Sequence, residues 1–145
     1  MSDNSADGGE TKRRRILVID DDETILELVK DVLSPEYEIR TSGDATRGLE
    51  RLEKEPFDLL VLDLGLPGLS GIDAILRIRG EERHSNLPIL VVSAYTDLAR
   101  LVGDSQVQSV LAKPFSIQRL EERVAGLLKR ASSVAQTGPI VAPAE

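Results

Sequence analysis

The sequence predicts an α/β fold built on a parallel sheet with helices on both faces. Short, fully apolar runs such as residues 16–19 are typical of strands that are covered on both sides. These runs alternate with longer segments in which apolar residues recur at helical spacing, which gives five β-α units in a row. The expected winding is the flavodoxin-like strand order 2-1-3-4-5, in which the first and third strands are neighbours.

The first strand, residues 16–19, precedes a helix in which apolar residues recur every three or four positions until Pro35. Residues 37–41 alternate apolar and polar side chains, which predicts a less buried second strand. The apolar positions within 45–52 predict a second helix that ends near Pro56.

The third strand, residues 58–62, leads through a loop rich in Gly and Pro to a third helix around residues 72–76. Residues 89–92 form the predicted fourth strand. A short helix is predicted within residues 96–106, and residues 107–112 form the fifth strand.

The last predicted helix begins after Ser116, a plausible N-cap, and has basic residues at its C-terminal end near Arg130. The folded unit is therefore expected at residues 14–130. Residues 1–13 are polar and Gly-rich, which predicts disorder. Residues 131–145 are rich in Ala, Ser and Pro, which predicts a flexible tail or linker.

Composition narrows the class of protein. The 145 residues are 41% hydrophobic, enough for one globular core. The absence of Cys rules out thiolate metal sites and a Cys nucleophile. A net charge of −7 argues against direct nucleic-acid binding. No apolar run is long enough to span a membrane, and no secretory leader is recognisable, so a cytoplasmic protein is expected.

Polar side chains stand where the predicted strands end. Asp20 and Asp21 follow the first strand, Asp63 follows the third, Ser93 follows the fourth, and Lys113 follows the fifth. The carboxyl ends of parallel strands form the ligand crevice of such sheets, so these side chains should meet.

The chemistry of this set suits a hard cation and an oxyanion. Clustered carboxylates with no His or Cys favour Mg²⁺, and Lys113 offers a point charge to a phosphoryl oxygen. One carboxylate could attack phosphorus and form an acyl phosphate. Taken singly, Asp20–Asp22 could be only a helix start and Asp63 a turn residue; their joint placement favours a site.

The chain resembles the receiver domains of two-component response regulators, the chemotaxis-Y-like family, over essentially all of residues 14–130. The motifs that carry the resemblance are ILVIDDDE at 16–23, DLLVLDLGLPGLSG at 58–71, VVSA at 91–94 and KPF at 113–115. As an ordered set they are specific, although each alone would be weak.

The resemblance implies that Asp63 accepts a phosphoryl group from a phosphohistidine. It implies that Asp20, Asp21 and Asp63 bind Mg²⁺ together with the backbone carbonyl of Gly65. Ser93 and Lys113 would contact the phosphoryl group, and the peptide bond after Lys113 would be cis. The phosphoryl donor would be a sensor histidine kinase or a phosphotransfer protein. The chain would be a monomer or weak homodimer. It would signal to an unknown output partner and would not contact a membrane. It would be a signalling domain, not an enzyme in the usual sense, although it assists transfer to and hydrolysis from its own Asp63.

One residue departs from the family pattern. Val110 occupies the position three residues before the lysine where these domains usually carry Tyr or Phe, which places the usual output switch in doubt. Tyr95 is then the nearest aromatic residue able to cover the site, with Gly65 leaving the opposite approach open. His84, the only histidine, is expected at the surface rather than as a phosphoryl carrier.

Alternative functions remain open. A receiver-like module that binds partners without phosphorylation is supported best by Val110, whereas the presence of Asp21, Asp63, Ser93 and Lys113 argues against it. A flavodoxin-like cofactor binder would need phosphate loops rich in Ser, Thr and Gly, whereas the loops here are acidic. A phosphohydrolase with an Asp nucleophile would normally carry a second Asp two residues later, where this chain has Gly65. The sequence names neither the kinase, nor the signal, nor the output.

Overall fold

A computed structural model describes residues 13–101, 103 and 106–137, without the side chains of 101 and 132–137. Five parallel strands form one sheet. The strands are β1 (Arg15–Ile19), β2 (Glu38–Ser42), β3 (Leu59–Leu62), β4 (Ile89–Ser93) and β5 (Ser109–Ala112).

Four α-helices connect or follow these strands: α1 (Glu23–Leu33), α2 (Ala45–Lys54), α3 (Gly71–Arg79) and α4 (Ile117–Thr137). Two 3₁₀ helices, η1 (Glu82–His84) and η2 (Thr96–Leu101), flank β4. No helix among the described residues has the length and apolar character needed to cross a membrane.

The sheet has the order β2-β1-β3-β4-β5, which confirms the predicted winding. Strand β1 pairs in parallel with both β2 and β3, so the order in which the chain adds strands to the sheet reverses direction at β1. Its last residue, Ile19, is level with Ser42 on one side and with Leu62 on the other. The residues that follow β1 and β3 are therefore neighbours at the carboxyl edge of the sheet.

The sheet separates two apolar cores because alternate residues of each strand face opposite sides. In β3, Leu60 and Leu62 belong to a core shared with α2, α3 and η2. Leu59 and Val61 belong to the other core, which α1 and α4 cover. This double coverage explains why β3 is a continuous apolar run rather than an alternating one.

Side-chain caps fix where the helices begin. Asp22 precedes α1, and its carboxylate accepts a hydrogen bond from the Thr24 N–H at 2.9 Å. Ser116 was expected to cap the last helix, and its hydroxyl oxygen does accept the Arg119 N–H at 3.1 Å. Such caps stabilise a helix by about 1 kcal/mol each.

Two elements differ from the prediction. Helix α4 continues past Arg130 to Thr137, so the expected helix end was too early; its added turns contain Ala, Ser and Gln, which a helix accepts at small cost. Strand β5 begins at Ser109 rather than at residue 107. The short helix predicted within residues 96–106 is η2, and residues 102, 104 and 105 of that segment lie outside the described part. The predicted disordered segment, apart from Arg13, and residues 138–145 of the predicted tail also lie outside it.

Arg79, at the end of α3, joins this helix to the segment before β5. Its guanidinium donates to the Gln106 carbonyl oxygen from Nε at 3.0 Å and from Nη2 at 2.8 Å. It also donates to the carbonyl oxygens of His84 and Ser85, at 3.0 and 3.3 Å, and to Oε1 of Gln108 at 3.1 Å. Burial lowers the pKa of Arg79, and neutral oxygen acceptors satisfy its donors.

Candidate functional site

Two buried carboxylates lie side by side at the carboxyl edge of the sheet. Asp20 follows β1, and its N–H donates to the Ser42 carbonyl at 3.1 Å. Asp63 follows β3, and its N–H donates to the Ile19 carbonyl at 3.0 Å. The hydrogen-bond ladder thus continues one residue past the strands and holds both backbones in register. Their exposed fractions are only 2% and 6%.

Asp21 completes an acidic cluster with these two residues. One carboxylate oxygen from each of Asp20, Asp21 and Asp63 lies within 4.8 Å of the others. Asp21 is exposed, so the cluster is open to solvent on its side. Three carboxylate oxygens without nitrogen or sulfur donors are a set suited to a hard divalent cation such as Mg²⁺, which retains several waters.

Lys113 supplies the positive charge of the site. It follows β5, and the bond between Lys113 and Pro114 is cis, as expected. Its Nζ lies 2.7 Å from Oδ2 of Asp20 and 3.3 Å from Oδ2 of Asp63. Burial alone would lower the pKa of Lys113, but the hydrogen bonds and charges of Asp20 and Asp63 outweigh it and raise the pKa.

The two carboxylates differ in their electrostatics. Burial raises the pKa of Asp20, and the bond from Lys113 offsets this only in part. Burial also acts to raise the pKa of Asp63, but hydrogen bonds from Ser93 and Gly65 and the charge of Lys113 outweigh it, so the pKa is lowered. Asp63 is therefore held as an anion at neutral pH, which a nucleophile requires.

Ser93 lies at the end of β4 with its side chain fully buried. Its hydroxyl interacts with the Asp63 carboxylate and lowers the pKa of that group, and its Oγ accepts the Tyr95 N–H at 3.0 Å. Its carbonyl accepts the Lys113 N–H at 3.1 Å. These bonds join the ends of β3, β4 and β5 around one point.

The loop after Asp63 packs against an aromatic ring. The N–H of Gly65 donates to Oδ1 of Asp63 at 3.1 Å. A Cβ built on Gly65 would lie 2.5 Å from Cε2 of Tyr95, so only glycine leaves room for the ring where it stands. The expectation that Gly65 leaves the approach opposite Tyr95 open was therefore wrong: the two residues share one side of the site. Nothing in either sequence motif indicates this packing.

Gly71, at the start of α3, is a residue that sequence reasoning missed. A Cβ there would lie 2.5 Å from the carbonyl oxygen of Asp63 and 2.5 Å from Cα of Leu64. The absence of a side chain lets α3 begin directly behind the acidic cluster. The only available signal was a glycine beside Ser70, the N-cap of this helix.

Val110, which departs from the family pattern, and His84 both lie away from the cluster. Val110, within β5, is half-buried against the core that α2 and α3 cover, and its carbonyl accepts a hydrogen bond from Arg123 at 2.8 Å. His84 is half-buried in η1, before β4, at the opposite edge of the sheet. The five residues predicted at strand ends are thus brought together, and His84 is not among them.

Comparison with known proteins identifies relatives of this arrangement. The response regulator receiver domain model matches residues 16–125. The chemotaxis protein CheY of Pseudomonas aeruginosa is 32% identical over 120 residues, covering 80% of this chain and 97% of CheY. The DNA-binding response regulator MtrA of Mycobacterium tuberculosis is 36% identical over 124 residues, 83% of this chain but only 53% of MtrA. The sensor histidine kinase TmoS of Ectopseudomonas mendocina is 33% identical over 117 residues, 79% of this chain and 12% of TmoS.

Solved structures share the fold. A putative response regulator from Chloroflexus aurantiacus superposes with a TM-score of 0.75 at 34% identity, covering 82% of this chain and all of that one. The response regulator TrrA of Thermotoga maritima, in complex with Mg²⁺-BeF, gives a TM-score of 0.71 at 31% identity over 79% of this chain and 98% of TrrA. Of these relatives, the chain spans CheY almost completely but about half of MtrA and a small part of TmoS.

Proposed function

Because this chain belongs to the response regulator receiver domain family, we propose that it accepts a phosphoryl group on Asp63 from a phosphohistidine. The observation that supports this best is the position of the Asp63 carboxylate, which is buried at the carboxyl edge of the sheet and accepts hydrogen bonds from the Gly65 N–H and the Lys113 ammonium. The same carboxylate lies within an acidic cluster suited to a divalent cation. The phosphate donor would be a histidine kinase or a phosphotransfer protein.

In the proposed transfer, an oxygen of Asp63 forms a bond to phosphorus while the bond from phosphorus to the imidazole nitrogen breaks. The leaving nitrogen keeps the electron pair and takes up a proton. Lys113 then pairs with an oxygen of the transferred group, and the Ser93 hydroxyl donates to another. Lys113 Nζ lies 3.3 Å from Oδ2 of Asp63, and the Ser93 hydroxyl interacts with the same carboxylate.

The acidic cluster is the proposed binding site for the divalent cation. Asp20, Asp21 and Asp63, with the carbonyl oxygen of Gly65, would hold Mg²⁺. When bound, the ion supplies charge neutralisation between the carboxylates and the incoming phosphoryl oxygens. The Mg²⁺-BeF complex of TrrA, a relative of the same fold, supports this choice of metal.

The proposed role is that of a signalling domain rather than of an enzyme acting on a separate substrate. Hydrolysis of the phosphoaspartate by water at the same site would end the signal. The relatives include a sensor kinase, a chemotaxis protein and a DNA-binding regulator, so the output partner is not assigned.

One observation favours a second candidate, a module that binds partners without phosphorylation. Val110 is packed against the core and cannot act as a rotating aromatic ring. A conformational change caused by phosphorylation of Asp63 would then have to reach the protein surface through residues other than Val110.

Acetyl phosphate with Mg²⁺, followed by intact mass, tests the main proposal. We expect the wild-type chain to gain one phosphoryl group that hydroxylamine removes, and Asp63→Ala to gain none. Asp31→Ala, which removes an exposed carboxylate of α1, is the matched control and should be labelled like wild type. Label retained in Asp63→Ala would assign another acceptor. An unlabelled wild-type chain would favour the second candidate.

A further inference from the structure

Helices α2 and α3 enclose an open groove on one face of the sheet. The two helices lie side by side over the core that contains Leu60 and Leu62. Between them is a groove of about 490 Å³. Leu52 and Ile78, both buried, and the half-buried Leu49 form its apolar floor. None of the strand-end residues of the phosphoacceptor site lines it.

Carboxylates dominate the rim of this groove. Glu50 and Glu53 stand on α2 and Glu81 stands just after α3, and all three are exposed. Within the described part of the chain, neither Glu50 nor Glu53 forms an ion pair, and Glu81 is paired only loosely, at 3.9 Å from Arg83. Arg77 is the one Lys or Arg side chain that lines the groove among the described residues.

His84 closes the end of the groove near η1. Burial and the neighbouring charge of Arg83 lower the pKa of His84, so it carries little charge at neutral pH. The lining therefore combines an apolar floor with a negative rim. An anionic or purely apolar ligand would leave the glutamates uncompensated.

We propose that this groove binds a basic amphipathic helix of a partner protein. Apolar side chains of such a helix, spaced three or four residues apart, would enter over Leu49, Leu52 and Ile78. Lys or Arg side chains beside them would pair with Glu50, Glu53 and Glu81. The surface is separate from Asp63, so a partner bound there would hold its place whether or not the site is phosphorylated.

The test uses the full chain, labelled with ¹⁵N, and a synthetic helix of about 15 residues with Leu on one face and Lys on the other. Titration should shift the amide signals of Leu49, Glu50, Glu53 and Glu81 first. A peptide of the same composition, shuffled to remove the apolar face, should bind more weakly. Asp63→Asn should leave the affinity unchanged, so this result does not depend on the proposed phosphorylation.

Charge variants decide whether the groove itself binds. Glu50→Gln combined with Glu53→Gln should weaken binding by about five-fold or more, the effect of losing exposed ion pairs. The matched control, Glu121→Gln with Glu122→Gln on exposed positions of α4, changes the net charge equally and should have a smaller effect. Arg77→Glu should tighten binding. Equal weakening by both double variants, or shifts centred on Asp20 and Asp21, would overturn the proposal.

Discussion

Lys113 and Asp20 form the shorter of the two ion pairs in the site, with Nζ 2.7 Å from Oδ2. The distance from the same Nζ to Asp63 is 3.3 Å. The ammonium thus lies mainly against a carboxylate of the acidic cluster rather than against the proposed phosphoacceptor. The Lys113 ammonium therefore balances part of the negative charge of the acidic cluster, which a bound divalent cation would otherwise balance.

We therefore expect Lys113→Gln to bind Mg²⁺ more tightly than wild type, because the ammonium no longer competes for Asp20. Without metal the variant should be less stable by about 3 kcal/mol, the cost of leaving buried charge without its partner. Urea unfolding with and without Mg²⁺ measures both effects. Lys129→Gln, an exposed change on α4, should produce neither. Unchanged metal affinity in Lys113→Gln would show that the two cations do not compete.

Metal binding should depend on Asp21 but not on its neighbour Asp22. Ligand binding stabilises the folded state by about 1.4 kcal/mol at a Mg²⁺ concentration ten-fold above Kd, so melting should shift upward. Asp21→Asn should lose most of this shift. Asp22→Asn should keep it, because Asp22 caps α1 and Asn caps equally well. Equal losses in the two variants would place the metal elsewhere.

Tyr95 should slow hydrolysis of the phosphoaspartate. Its ring lies against Gly65 and is 58% exposed, so it can shield the site yet has space to move. Tyr95→Ala should shorten the lifetime several-fold because water gains an approach to phosphorus. Tyr95→Phe retains the ring and should behave like wild type. Phosphate release from the labelled protein measures the rate, and an equal lifetime in Tyr95→Ala would remove the ring from the mechanism.

Gly65→Ala probes the same contact from the other side. The added Cβ would stand where the Tyr95 ring now packs, so the ring has to move away. The lifetime should fall in Gly65→Ala but not fall further when Tyr95→Ala is added. Additive effects would instead mean that the two residues act separately.

Arg79→Met should destabilise the fold by about 2 kcal/mol, because the part-buried carbonyl oxygens of Gln106 and His84 lose the guanidinium donor. Arg79→Lys should recover little, since one ammonium cannot reproduce the planar set of donors. Arg77→Met, an exposed change on the same helix, should shift stability by about 0.5 kcal/mol or less. Urea unfolding distinguishes these outcomes. A stability of Arg79→Lys equal to wild type would contradict the role of the guanidinium geometry.

His84 should make the fold less stable in mild acid. Burial and Arg83 place the pKa of His84 in the folded chain below its ordinary value of 6.5. As the pH falls through 6.5, His84 takes up a proton in the unfolded chain before it does so in the folded chain. The free energy of unfolding therefore decreases from pH 6.5 down to the pKa of His84 in the folded chain. His84→Gln should lose less stability than wild type between about pH 7.5 and 5.5. Identical losses in both proteins would assign the acid sensitivity to carboxyl groups.

The positions of the site residues could be predicted from the sequence because they follow from topology. Once residues 16–19 and 58–62 are read as neighbouring parallel strands, Asp20 and Asp63 must meet. The stacking of Tyr95 on Gly65 could not be predicted in this way, since two loops from different strands create it. The extension of α4 past Arg130 was missed because Ala and Ser occur in both helices and linkers. The role of Arg79 could not be predicted from the sequence, because all but one of its acceptors are backbone carbonyls, which no side-chain pattern indicates.

The edges of the sheet bear on how copies of this chain can associate. One edge strand, β2, carries Glu38 and Arg40, which pair with each other at 2.8 Å. The other edge strand, β5, has only four residues. The Arg123 guanidinium donates hydrogen bonds to its Val110 carbonyl oxygen and, at 2.7 Å, to its Ser109 hydroxyl oxygen. Short, charged or covered edges resist pairing with a foreign strand. Joining the sheets of two copies of this chain edge to edge is therefore disfavoured. Contacts between copies would use the helical faces instead, and such contacts can dissociate without breaking backbone hydrogen bonds between strands.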